Sequence, residues 1–205
     1  ANAMLAVSLA ALKCGADAVN LPLYRYIGGI NSRVLPVPMM NIINGGVHAG
    51  NDLAFQEFMI MPLKFKNFSS ALRACSEIYH TLKSVLKKTY GSSAINVGDE
   101  GGFAPPVSKA EDALDAIVKA IEKTGYENNV YLAIDAAASE FYKDGYYIIS
   151  DKKMNSESLL EYYEKLVNEY PIVSIEDPFF EEDFESFAKI VKELKKVQIV
   201  GDDLF

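Results

Sequence analysis

Apolar residues recur along this chain in two rhythms, short continuous runs and stripes at helical spacing, and the alternation between them lays out the elements. Residues 1–13 are apolar nearly all round, which predicts a buried helix, with Gly15 ending it in a left-handed cap. A short helical turn comes next over 22–27, closed by Gly28 and Gly29. Residues 35–43 read as a strand despite Pro36 and Pro38, which suit a strand start or an edge, and 55–61 read as another after a glycine-rich connection. Residues 70–88 place Leu72, Cys75, Tyr79, Leu82 and Leu86 on one helical stripe. Ser108 with Glu111 three residues on has the form of a capping box, and Ala110, Ala113, Leu114, Ile117 and Ile121 make the next stripe, as far as Gly125. Strands at 130–136, 172–175 and 197–200 then alternate with helices at 159–170 and 184–194, the last with Phe184, Phe187, Ala188, Val191 and Leu194 on one face. Residues 143–153 read as a surface hairpin or loop.

Strands and helices alternating at these lengths predict parallel βαβ units and an α/β fold, with a sheet either open and doubly wound or closed into a barrel. With 50% of 205 residues hydrophobic there is material for a core, which excludes a disordered chain. The balance of 20 Lys and Arg against 28 Asp and Glu gives a net charge of -8 and disfavours a nucleic-acid partner, which needs clustered cations. Cys14 and Cys75 lack metal-ligand spacing and read as reduced core thiols of a cytoplasmic protein. The longest apolar stretch, 4–12, is too short to cross a bilayer and opens without a basic segment, so neither a membrane span nor a signal peptide is expected, and the sequon at Asn67 is expected to stay unglycosylated. Ala1 in place of an initiating Met, and an ending at Phe205 just after an apolar run, predict a piece of a longer chain.

The candidate chemistry is concentrated where the apolar runs end. The strand at 131–134 ends in Asp135, that at 172–175 in Glu176 and Asp177, and that at 197–200 runs through Gly201 into Asp202 and Asp203. Parallel strands bring their carboxyl ends to one rim, so Asp135, Glu176 and Asp202 are expected to converge there; Asp177 and Asp203 lie one residue further out. Converging carboxylates repel, and a hard divalent cation relieves them, with magnesium the natural candidate. Acids capping helices or facing water are the alternative. Two glycine-rich segments, 44–50 with His48 and 98–102 with Glu100, can close over a site or form plain turns. Glu57 interrupts an apolar strand, where it either faces a polar interior and pairs with Glu100 as an acid/base couple or lies on an edge strand facing water. His80 is expected on the polar face of its helix.

The segments LPVPMMNIINGGVHAGNDLAFQEFMIMP, NVGDEGGFAPP, IDAAASEFY, PIVSIEDPFFEEDFE and VQIVGDDLF resemble, in order and over essentially the whole chain, the enolases. The resemblance implies a TIM-type barrel that opens with two strands and two helices before regular alternation, its second strand antiparallel. Residues 35–205 would form its first part, and 1–34 the helical end of a preceding small α+β domain. It implies magnesium-dependent dehydration of 2-phosphoglycerate to phosphoenolpyruvate in glycolysis, with Asp135, Glu176 and Asp202 as metal ligands. It implies Glu100 as proton donor to the departing hydroxide with Glu57 beside it, Gln56 and His48 in contact with substrate, and a homodimer. The family's base lysine and the substrate-binding residues after the third metal ligand have no counterpart here, so this chain alone is expected to be inactive. A superfamily member with another substrate, and a non-catalytic binding or structural protein derived from an enolase, are the competing readings.

Overall fold

The computed structural model describes residues 1–46 and 49–205. In chain order, α1 (Asn2–Ala18) and α2 (Leu23–Gly28) precede β1 (Met40–Asn44), β2 (Glu57–Met61), α3 (Phe68–Tyr90), α4 (Ala110–Thr124) and β3 (Tyr131–Asp135). Then come β4 (Tyr142–Lys143), β5 (Tyr146–Ile149), β6 (Lys152–Met154), α5 (Ser156–Glu169), β7 (Ile172–Glu176), α6 (Phe184–Glu193) and β8 (Gln198–Val200). The residues divide into two compact units, Ala1–Pro36 and Val37–Phe205.

In the first unit α1 runs through Gly15 rather than ending there. Glycine serves close approach instead: a Cβ at that position would come within 2.6 Å of the Tyr26 hydroxyl. Only Ala16 of α1 is buried, and Cys14 is exposed, so the expected buried helix and core thiol are corrected. An all-round apolar sequence states what a helix is able to bury, and within this unit only α2 packs against it.

The second unit is built on one five-stranded sheet in the order β1-β2-β3-β7-β8. β2 is antiparallel to both neighbours, as the family resemblance implies, and β3, β7 and β8 are parallel, as the alternation predicts. β1 begins at Met40, five residues later than the sequence suggests, beyond both prolines. Proline lacks the N–H a ladder needs. One face of the sheet, with Phe58, Ile60, Leu132 and Ile134, packs into a core with Ile78, Leu82, Leu114, Ile117, Leu159 and Tyr163 from the helices. Met59, Met61 and Ala133, with Val173 packed against them, occupy the opposite face.

Caps fix the helix starts. Asn67, Asn155 and Asp183 accept N–H bonds from Ser70, Ser158 and Ser186. Ser108 does not cap α4: Lys109 holds the cap position, and Glu111, the other half of the expected box, accepts bonds from Tyr162 and Lys165 instead. The α4 stripe is buried as read, and Gly125 ends it at φ +74. In α3 the buried face is Ala71, Ala74, Cys75, Ile78, Leu82, Val85 and Leu86, turned away from Leu72, and in α6 it is Phe187 and Ile190, with Phe184 and Val191 exposed. Strands β4, β5 and β6 form a separate antiparallel sheet through tight turns whose residues, Asp144-Gly145 and Ser150-Asp151, all have positive φ. Its Tyr147 and Ile149 are buried, so the expected surface hairpin contributes one face to the core.

Candidate metal centre and acid pair

The strand register brings the candidate residues into one row. Asn44 pairs with Glu57, Glu57 with Asp135, Asp135 with Glu176, and Glu176 with Val200. Because β2 runs against its neighbours, its first residue lies beside the last residues of β1, β3 and β7. Residues paired across strands point to the same face, so these polar side chains line one rim on the face of Met59 and Ala133, away from the helices. β2 is an interior strand, so Glu57 is not an edge residue facing water.

Asp135, Glu176 and Asp177 each offer a carboxylate oxygen within 4.8 Å of the others. Burial first, then the charge of Glu176, pushes the Asp135 carboxyl up to about 7, against one N–H bond of 3.0 Å from Ala137. Glu176 is likewise raised, by burial and by the charges of Asp177, Asp202 and Asp203. The ion pairs among the described residues join Arg73 to Glu77, Lys165 to Glu111 and Glu169, and Lys189 to Glu157, all away from this rim. Closely spaced oxygen donors that repel one another and lack a protein cation fit a divalent ion, which restores their ionised form.

Asp202 stands two residues beyond β8, its side chain exposed. It is tied to the cluster through its backbone. The Asp177 carboxylate accepts N–H bonds from Asp202 at 3.1 and 3.2 Å and from Asp203 at 3.0 Å. Asp177 is buried and sits at φ +40, a backbone state that aspartate tolerates better than most residues. Read from the sequence as the weaker acid of its pair, it is the one that joins the β7 and β8 ends.

The second group is Glu57 with Glu100. Burial, then a hydrogen bond with Glu100, then the charges of Glu100, Asp135 and Glu176 push the Glu57 carboxyl up to about 8. This direction favours the protonated form of Glu57, which then has a proton to share with Glu100. Glu100 itself is solvent-accessible and receives the Asn44 Nδ2–H on Oε2 at 2.8 Å. Its loop is closed by bonds from Gly98 N to Gly102 O (2.8 Å) and from Gly101 N to Gly98 O (3.1 Å). It is held outside by the Tyr79 hydroxyl donating to Gly101 O (2.9 Å), with Tyr79 stacked on Phe103 at 4.4 Å. A lid function read from the glycines of 98–102 gives way to an anchored turn.

The Gln56 Nε2 reaches Asp135 Oδ2 at 3.4 Å, and its backbone N–H donates to the Asp135 carbonyl at 3.0 Å. His48 lies outside the described residues. His80 is exposed, as expected. Sequence reasoning passes over Asn44 and Tyr79. The signal for Asn44 is a polar residue closing an apolar strand, the same one that marks Asp135 and Glu176.

The family model described as the C-terminal TIM barrel domain of enolase matches residues 32–205. Over 205 residues the chain is 62% identical to the enolase of Methanocaldococcus jannaschii, covering 100% of this chain and 48% of that protein. It is 57% identical over 207 residues to the enolase of Methanococcus maripaludis and 58% over 210 residues to that of Thermococcus kodakarensis, again covering 100% of this chain and 49% of each relative. The chain thus spans about half the length of the curated relatives it matches, and its five-stranded, unclosed sheet is consistent with an incomplete barrel of that kind. On this match the chain belongs to the enolase family, through its C-terminal TIM barrel domain.

Proposed function

We propose that the protein to which this chain belongs catalyses the magnesium-dependent dehydration of 2-phospho-D-glycerate to phosphoenolpyruvate. The observation that carries this is the single rim row in a chain of the enolase family: a proton-sharing Glu57–Glu100 pair beside a cluster of unneutralised carboxylates. Asp135 and Glu176, two members of the carboxylate cluster, together with Asp202 would hold Mg2+, while Asp177, the cluster's third member, fixes the backbone that presents Asp202. When bound, the ion supplies positive charge beside a substrate carboxylate that becomes more negative as its neighbouring carbon loses a proton.

The chain's own residues then act on the leaving group. Glu57 stores a proton in the resting site, and passage of that proton across their hydrogen bond makes Glu100 the acid that protonates the departing hydroxide. Glu100 is the exposed member of the pair and so the one able to reach substrate. Gln56, beside Asp135, and His48 would contact substrate. In the same reading residues 1–34 end a small α+β domain, 35–205 open the barrel, and the whole protein is a cytoplasmic homodimer. No helix among the described residues is long and apolar enough to cross a membrane.

The test uses a chain of the relatives' full length with Mg2+ and 2-phosphoglycerate, following the absorbance of phosphoenolpyruvate. Turnover is expected, and Glu100→Gln should reduce kcat by roughly 10²- to 10⁴-fold, the usual weight of general acid catalysis. Undiminished turnover in that variant would refute the role of Glu100.

A further inference from the structure

We infer that Asn44 is the positioning residue of the acid Glu100, through a side-chain amide that clasps the Glu100 turn at two points. This rests on the reading of Glu100 as the proton donor. Asn44 is the last residue of β1 and is completely buried. Its Nδ2 donates to Glu100 Oε2 at 2.8 Å, and its Oδ1 accepts the Gly102 backbone N–H at 2.8 Å. One partner needs a donor and the other an acceptor, which fixes the orientation of the amide without ambiguity. Asn44 is itself immobilised: its backbone N–H donates to the Phe103 carbonyl at 2.9 Å, and its carbonyl accepts from Asn51 Nδ2 at 3.0 Å.

The surroundings are shaped to this clasp. A Cβ at Gly102 would fall 2.5 Å from Asn44 Oδ1, and one at Gly98 would meet the Asn44 Cβ at 3.0 Å, so both glycines let the turn close down on the amide. Phe103 bonds in turn to the Ile42 carbonyl at 2.9 Å, docking the end of the turn on the open edge of β1. Glu100 is therefore exposed yet carried on a rigid strand end, as an acid must be if its proton is to meet the leaving oxygen. A misplacement of about 1 Å is enough to cost on the order of 100-fold in rate.

The experiment compares Asn44→Ala, Asn44→Asp, Gly102→Ala and Glu100→Gln in the full-length Mg2+-loaded enzyme. Two rates are measured: exchange of the substrate's carbon-2 hydrogen with solvent, which reads proton removal, and formation of phosphoenolpyruvate, which also requires hydroxide departure. Thermal unfolding of each variant is followed in parallel. Asn44→Ala should lower product formation on the order of 100-fold, with exchange and KM within about threefold of the parent. Asn44→Asp keeps the acceptor for Gly102 and loses the donor to Glu100, and it should show the same selective loss with a smaller fall in Tm. Gly102→Ala should reproduce the loss from the other side of the clasp. In a Glu100→Gln background Asn44→Ala should add less than about threefold, because it acts through the missing acid. Equal loss of exchange and product formation in Asn44→Asp, or full additivity with Glu100→Gln, would overturn the assignment. Failure of the underlying reading looks different: Glu100→Gln alone would then leave product formation intact.

Discussion

The two ends of the rim row answer the same electrostatic problem differently. At the β2 end, the raised Glu57 carboxyl favours its protonated form and Glu100 receives the Asn44 amide N–H, so the repulsion between them is eased within the protein. At the β3–β7 end, burial and then the charge of Glu176 drive Asp135 upward, burial and then the charges of Asp177, Asp202 and Asp203 drive Glu176 upward, and among the described residues no ion pair compensates them. A proton is cheap to hold and easy to give away, which suits an acid; a cluster too crowded for protons alone suits a divalent cation. One rim thereby carries two groups of carboxyls that differ in how their charge is balanced.

That contrast is broken most directly at the crowded end. Asp135→Asn in the full-length enzyme should reduce kcat by on the order of 10³-fold or more, the scale of losing a principal electrostatic stabiliser. Calorimetric titration with Mg2+ should show weaker binding in the same variant. Unchanged Mg2+ affinity would remove Asp135 from the ion site. The proton-sharing end should respond to Glu100→Gln in kcat but not in Mg2+ affinity, and a matching loss of affinity would mean that the two ends are not separable.

Asp177 offers a sharper cut within the crowded end. Asp177→Asn replaces one acceptor oxygen by an NH2 group facing the N–H groups of Asp202 and Asp203. The expected destabilisation is about 1–3 kcal/mol, the cost of breaking hydrogen bonds to a buried charged acceptor. Denaturant unfolding measures it, and Asp177→Asn should also weaken Mg2+ binding by releasing the backbone that presents Asp202. An unfolding midpoint equal to the parent's would show that the carboxylate is no clamp.

The last effect is a pH dependence. The Glu57 carboxyl rises from its usual 4.5 to about 8 on folding, so between these values the folded state holds a proton that the unfolded chain has lost. Stability from this group is full below the unfolded value and is lost as pH rises through the folded one. Glu57→Gln should therefore flatten the decline in unfolding midpoint between pH 5 and pH 8, measured without metal. A decline as steep as the parent's would assign it to other groups.

Legibility depends on the nature of each signal. The α4 stripe and its Gly125 cap are readable because period and terminator coincide within one helix. Periodicity turns the faces of α3 and α6 from where they lie, since Leu72, Phe184 and Val191 satisfy the period while other residues are the ones covered. Ser108 and Glu111 have the letters of a capping box, but Tyr162 and Lys165, more than fifty residues on, compete for that carboxylate. The polar residues after Tyr131–Ile134 and Ile172–Ile175 stand out in the sequence because a charge at the end of an apolar run is costly without a reason.

The sequence by itself determined the α/β alternation, the strand ends that carry acids, and the motifs that place the chain among the enolases. Only the tertiary structure decided that Asn44, Glu57, Asp135 and Glu176 form one row, and that Asp177 and Asn44 anchor their neighbours. The reason is that a residue's type and spacing are local properties, whereas its partner is set by register and packing between segments up to about eighty residues apart, where no periodicity reaches.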